Sequence, residues 1–196
     1  MRYCIFSGTF NPIHNAHLGM AKKVLEEFKF DEILFIPAYI QPHKNLAYCK
    51  RSAPHRLEML KLALKKYPKF KLNTIEFDRR GLSYTYITVL ELYNKLPNIE
   101  GKINFVIGTD AFLNIYKWHD AKNLVKLLDF IVLIRDEQEL EACRKLEDVR
   151  FRVLQSDKME ISSTMVREMV KSKQDISHLV PPEVKAYIEE NHLYRD

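Results

Sequence analysis

The sequence predicts an α/β protein built on a doubly wound parallel sheet, with a helical appendage at its C-terminal end. Three observations predict it. Short apolar runs alternate with stretches whose apolar residues recur at three- and four-residue intervals, as in buried strands and amphipathic helices. Glycines, prolines and polar residues punctuate the ends of the runs, where strand-to-helix turns belong. After Leu154 the alternation gives way to two helical stretches with no strand between them.

The first run, residues 3–6, ends at Gly8, and a second, EILFIP over 32–37, is stopped by proline. Between them Leu18, Ala21, Val24, Leu25 and Phe28 share one face of a helix that starts near Asn15. A helix over 52–67 follows, with Ser52 and Pro54 suited to its cap and first turn and Leu57, Leu60 and Leu64 on one face. The pattern continues with a strand over 71–77, a helix over 84–96, a strand over 103–107 and helical stretches within 111–128. A strand over 130–134, a helix over 138–146 and a strand over 151–154 complete it. Such alternation implies parallel strands joined by right-handed crossovers, with helices on both faces of a Rossmann-like sheet. Residues 163–171 and 182–190 read as the appended helices. With no repeat, low-complexity tract or Gly/Ser linker, the expectation is a single domain over 1–196, an α/β core at 1–155 and a helical subregion at 156–196.

Composition narrows the function classes. With 46% hydrophobic and 29% charged residues the chain resembles ordinary globular proteins, not disordered or fibrous ones. The net charge of +5 favours anionic ligands without demanding a nucleic acid. It is locally concentrated: between Pro42 and Lys71 nine Lys or Arg face a single acid, Glu58. Cys4, Cys49 and Cys143 show no paired short spacing, so neither a disulfide framework nor a cysteine zinc site is expected, and a reducing cytoplasm fits. No basic-then-apolar leader and no run of ~18 apolar residues is present, so neither export nor membrane association is expected.

In open α/β sheets ligands bind beyond the carboxyl ends of the strands, which directs attention to the segments after each run. The first reads Ser7-Gly8-Thr9-Phe10-Asn11-Pro12-Ile13-His14-Asn15-Ala16-His17: a glycine, a turn and a helix start, the parts of a phosphate cradle. His14 and His17 lie three apart, so both can face one anion; zinc would need a third ligand that this spacing does not supply. After the second run, PAYIQPHK ends in His43 and Lys44 at a basic tip, with Arg51, His55 and Arg56 adding to the field. Ser83, Tyr84 and Thr85 open a helix whose free N–H groups can meet a carboxylate or phosphate. Gly108 and Asp110 follow the fourth run, and Trp118, the only tryptophan, stands among polar neighbours where it can stack on a heterocycle. Ser162, Ser163 and Thr164, with Arg167 one turn further, form an anion motif at a helix start, although capping needs only one of these hydroxyls.

GTFNPIHNAH early and ISSTMVRE late resemble the two signatures of the HxGH nucleotidylyltransferase superfamily. PHK, SYT followed by Thr88, FVIGTD, Trp118 and the ending LVPPEVKAYIEENHLY make the chain similar to the bacterial nicotinate-nucleotide adenylyltransferases within it. Two positions depart from that pattern: Ala16 stands where the family has Gly, and Asn11 where Asp is common. The resemblance implies transfer of adenylyl from ATP to nicotinate mononucleotide, giving deamido-NAD and pyrophosphate. It implies that His14, His17, Lys44 and Arg167 are catalytic. ATP would meet Gly8, Thr9, Phe10, His14, His17, Gly108, Asp110, Ile161, Ser162, Ser163, Thr164 and Arg167. The pyridine nucleotide would meet Lys44, Ser83, Tyr84, Thr85 and Trp118. Mg²⁺ would be held mainly by the nucleotide phosphates, with no dedicated protein metal site. ATP and nicotinate mononucleotide are the expected partners, and a homo-oligomer is left open.

Two rival readings remain at this level. One is another enzyme of the superfamily, with phosphopantetheine or nicotinamide mononucleotide as acceptor. The other is a basic RNA-binding module using residues 44–71, with Tyr67 and Phe70 as stacking platforms.

Overall fold

The computed structural model describes residues 1–42, 44–156 and 161–195. Six strands form one sheet: β1 (Tyr3–Gly8), β2 (Glu32–Pro37), β3 (Phe70–Leu72), β4 (Ile103–Gly108), β5 (Leu128–Ile134) and β6 (Phe151–Gln155). Their order is β3-β2-β1-β4-β5-β6, and every pairing is parallel. The chain runs outward from β1 on one side and then returns to its other side at β4, so the loops after β1 and β4 diverge and leave a crevice between them. The Rossmann-like expectation holds.

The register explains the buried runs. Gly8 pairs with Pro37 across β1 and β2, and Gly108 with Leu133 across β4 and β5, so neighbouring strands end level and their following loops share one rim. The two faces of the sheet carry separate apolar clusters. Cys4, Phe6, Ile33 and Phe35 face α1 (Asn15–Phe28) and α2 (Leu46–Leu64), whereas Tyr3, Ile5, Phe105 and Phe130 face α4 (Thr85–Lys95), α5 (Thr109–Leu113) and α6 (Ala121–Leu127). This alternation is the period of a strand covered on both sides. The late helices α8 (Ser163–Lys171) and α9 (Pro182–Glu190) join the first cluster through Val166, Val184 and Ile188.

Two elements differ from the sequence expectation. The strand expected over 71–77 stops at Leu72, and Ile75–Arg79 forms a short helix, α3. Asn73 makes the break: its backbone N–H still donates to Phe35 on the sheet, but its Oδ1 accepts from the N–H of Ile75 and turns the chain. The helix expected from Ser52 begins at Leu46, where Asn45 Oδ1 accepts from the N–H of Tyr48, and Pro54 lies inside it. Asn45 is the cap, and Ser52 instead donates to the Cys49 carbonyl within the helix. Smaller shifts occur elsewhere. The expected stretch 111–128 divides into α5, a 3-10 turn (Ile115–Lys117) and α6, while Asp136 caps α7 (Glu137–Arg144).

Candidate active site

Beyond β1 the chain passes through Thr9 and Phe10 into Asn11-Pro12, whose peptide bond is cis. Phe10 has φ +49°, and its ring folds back against Gly8: a Cβ there would stand 3.2 Å from Phe10 Cζ. A side chain at position 8 would therefore be tight, and the Phe10 ring would have to give by a few tenths of an ångström to admit it. Phe10 belongs to the core, 2% exposed as a residue, so its ring is not available to a ligand in the crevice.

His14 caps α1 and His17 stands three residues in, with their rings stacked at 3.6 Å between centroids. Phe10 meets the His17 ring edge-on at 5.2 Å, so the imidazole is walled by the core on one side. Burial pushes the His14 imidazole down to about 4, and burial with the neighbouring His14 pushes His17 down to about 3. Both are neutral at pH 7. The backbone N–H of His14 donates to His17 Nδ1 at 3.3 Å, which assigns the His17 proton to Nε2. His14 Nδ1 is buried with no hydrogen-bond partner among the described residues.

Arg56 holds the floor of this crevice. It is 1% exposed, yet Nη1 donates to the carbonyls of Thr9 (2.9 Å) and Ala38 (2.7 Å), Nη2 to that of Tyr39 (3.0 Å) and Nε to Ser52 Oγ (3.2 Å). The guanidinium therefore ties the loop after β1 to the loop after β2, a use that differs from the expected surface field. Lys44 reaches in above it, its Nζ 3.4 Å from Thr9 Oγ1, and desolvation with nearby Arg167 and Arg56 lowers its ammonium. His43, its neighbour in the basic tip, lies outside the described residues.

The late helix meets the early loop directly. Ser163 Oγ donates to the Pro12 carbonyl at 2.9 Å, and Arg167 Nη1 to the Asn11 carbonyl at 2.8 Å. Its three hydroxyls do not converge on one point. Ser162 caps α8 by accepting from the N–H of Met165, Ser163 holds Pro12, and Thr164 accepts from Arg167 Nη2. Ile161 packs against the core cluster.

On the other side of β1 a cavity of about 660 Å³ opens between the ends of β1 and β4 and the start of α4. Tyr84, Thr85, Gly108, Lys117, Trp118 and His119 line it, together with Gly8 at the end of β1. Trp118 stands edge-on to Phe105 at 6.1 Å, and His119 lies 4.4 Å from the ring of Tyr84. Ser83 pins the start of α4 to the loop after β2: its Oγ accepts from the N–H of Tyr39, and its own N–H donates to the Ile40 carbonyl. Behind this turn Glu76 is 3% exposed, with Oε1 accepting from the Thr88 hydroxyl at 2.7 Å, and burial raises its carboxyl.

The structure thus brings Gly8, Thr9, His14, His17, Lys44, Ser163 and Arg167 to one side of the crevice rim, and Ser83, Tyr84, Thr85, Gly108 and Trp118 to the other. Asp110, in the first turn of α5, is exposed and lines neither side. Glu76, Tyr48 and Tyr194 carry no local signal in the sequence, and Arg56 is a buried clamp instead of part of the surface field. For Arg56 a signal existed: it falls on the buried face of α2 with Ala53, Leu60 and Ala63, an unusual place for a cation.

The rival nucleic-acid platform is not assembled: Phe70 is 5% exposed and Tyr67 stacks on it at 4.8 Å. Part of the basic stretch is also engaged, Lys61 with Glu58 and Lys66 with Glu183.

The geometry therefore defines a doubly wound parallel fold with a histidine-bearing loop on one side of the rim and a Trp118-lined cavity on the other. A model of the family described as cytidylyltransferase-like matches residues 5–169. The nicotinate-nucleotide adenylyltransferase of Bacillus subtilis (strain 168) is 42% identical over 193 residues, covering 97% of this chain and 96% of that one. Two solved structures of Plasmodium falciparum nicotinic acid mononucleotide adenylyltransferase share the fold at 22% identity. The complex with NaAD has a TM-score of 0.77, covering 98% of this chain and 97% of the other. The complex with APC has a TM-score of 0.75, covering 98% and 96%. The chain belongs to the cytidylyltransferase-like family and, within it, to the nicotinate-nucleotide adenylyltransferases. No helix among the described residues is long and apolar enough to cross a membrane.

Proposed function

We propose that the protein transfers the adenylyl group of ATP to nicotinate mononucleotide, forming deamido-NAD and releasing pyrophosphate. The observation that carries this reading is the placement of a neutral imidazole pair and Arg167 on one side of the rim and a Trp118-lined cavity on the other.

A phosphate oxygen of nicotinate mononucleotide attacks the α-phosphorus of ATP; the new P–O bond forms as the bond to the β-phosphate oxygen breaks, and pyrophosphate leaves with the electron pair. The attacking phosphate has a second pKa near ~6 and is largely ionised at neutral pH, so no general base is needed. Catalysis reduces to alignment and charge stabilisation. His17 offers its Nε2–H to the transferring phosphate, and the buried imidazole of His14 stands beside it. Lys44 and Arg167 supply fixed positive charge, and the backbone of Gly8, Thr9 and Phe10 leaves room for the phosphates. At the start of α8, Ser163 serves the site by holding the Pro12 carbonyl of the early loop and Thr164 by orienting Arg167, which meets the triphosphate tail. Gly108 gives close approach for the ribose.

Mg²⁺ arrives with ATP. The phosphate oxygens of ATP would supply most of its ligands, since Mg²⁺ keeps oxygen ligands from the nucleotide and from water. Asp110, exposed in the first turn of α5, would act on such an ion through a bound water if it contributes. On the acceptor side, the N–H of Tyr84 donates to the Leu82 carbonyl, so it is the N–H of Thr85 at the start of α4 that would favour the nicotinate carboxylate over a neutral amide, with Trp118 stacked on the ring. Cys4, Cys49 and Cys143 are free and buried, which suits a reducing compartment such as the cytoplasm.

The test is pyrophosphate release from ATP and Mg²⁺ with nicotinate mononucleotide, nicotinamide mononucleotide and phosphopantetheine offered in parallel. Nicotinate mononucleotide should give the highest kcat/KM. Faster turnover with either other acceptor would overturn the proposed specificity.

A further inference from the structure

Asn11 precedes the imidazole pair by three residues and is 5% exposed. Two tyrosines share its side chain: Nδ2 donates to the Tyr48 hydroxyl at 2.8 Å, and Oδ1 accepts from the Tyr194 hydroxyl at 2.6 Å. Its carbonyl accepts from Arg167. The segment from Phe10 to His14 is therefore fixed from outside at its middle, while its ends are fixed by the Phe10 ring on Gly8 and by Asn15, whose N–H donates to the Leu179 carbonyl.

Tyr194 belongs to the tail beyond α9, 183 residues from Asn11. The tail turns inward through two non-glycine residues in the left-handed region, His192 (φ +51°) and Tyr194 (φ +62°), a conformation that L side chains disfavour and that contacts must hold. Leu193 and Tyr194 supply such contacts by packing on the first apolar cluster. Burial also raises the Tyr194 hydroxyl far above its ordinary range, so it remains a donor at every working pH. Capping, sheet pairing and core filling do not require that hydroxyl, which is spent on Asn11.

We propose that Tyr194 is a positioning residue for adenylyl transfer: through Asn11 it sets the path of the segment that carries Thr9 and the His14–His17 pair to the triphosphate. The inference rests on the reading of that segment as the ATP side of the site. Tyr48 of α2 holds the other end of the same amide, so Asn11 is tied both to α2 and to the C-terminal tail.

Tyr194→Phe keeps the ring and removes only the hydroxyl. Two measurements on the full chain test it: amide hydrogen exchange over residues 9–17, and KM and kcat with ATP and nicotinate mononucleotide varied separately. Losing one such hydrogen bond should raise exchange in that segment about fivefold and lower kcat/KM for ATP by a similar factor. The KM for nicotinate mononucleotide should stay within about twofold. Unchanged exchange, unchanged ATP kinetics or an equal rise in both KM values each overturns the proposal. Absence of turnover in the unaltered protein would instead sink the reading of the site, while the exchange measurement still reports on this tie.

Discussion

At the scale of single residues, the imidazole pair carries the most testable physics. His14 and His17 are held neutral by burial, with pKa values down to about 4 and about 3, against ~6.5 in an unfolded chain. Between pH 6.5 and 4 the unfolded chain therefore binds protons that the folded chain refuses. Stability is full above the unfolded value and falls as the pH drops through this window. The urea midpoint should decline from pH 7 to pH 4 in the unaltered protein, and His14→Gln should flatten that decline. An equally steep decline in the variant would show that other groups cause it. A neutral pair also has a catalytic logic. It can donate a hydrogen bond to phosphate without first repelling a second buried cation.

At the scale of elements, α2 was the least legible in the sequence and is among the most consequential. Pro54 looks like a first-turn residue, yet the helix starts earlier, at Leu46, with Asn45 as its cap. Proline is strongly disfavoured inside a helix but not forbidden, and nothing local announces which case applies. Similarly, Ile75 and Phe77 continue an apolar run after β3, and only the Asn73 side-chain turn makes them helical. By contrast β1, α1 and β2 were readable because burial on both sheet faces imposes an unambiguous pattern. Through Arg56, α2 joins the loops that follow β1 and β2. Arg56→Met should leave the buried Ala38 carbonyl and the half-buried Thr9 and Tyr39 carbonyls without that donor and lower stability by about 3 kcal/mol, roughly 6–12 °C in melting temperature for a chain of this size. Arg56→Lys should recover little, since an ammonium cannot reproduce the planar fork. A variant that melts within about 2 °C of the parent would contradict the clamp.

At the scale of the whole molecule, function depends on contacts that join distant parts of the chain. The pieces of the proposed phosphate cradle are recognisable as motifs, GTFNPIHNAH and ISSTMVRE, because anion binding selects a narrow set of residue types. What the sequence left unstated was how they meet: Ser163 on Pro12, Arg167 on Asn11, and Tyr194 closing the same loop. These pairs are separated by 151, 156 and 183 residues, and no local pattern encodes such a partner. The topology supplies it, by placing the early loop and the helices after β6 on one rim and packing Val166, Val184 and Ile188 into the same core as β1.

If the early imidazoles and the late helix act on one triphosphate, their effects on the reaction must be coupled. A double-mutant cycle of His17→Ala and Arg167→Ala, read as kcat/KM for ATP in adenylyl transfer, measures this most directly. Each single change should cost on the order of 10²-fold or more. The double variant should lose at least about fivefold less than the product of the two, because residues serving one transition state are not additive. Strict multiplicativity, or full activity after His17→Ala, would contradict the shared crevice.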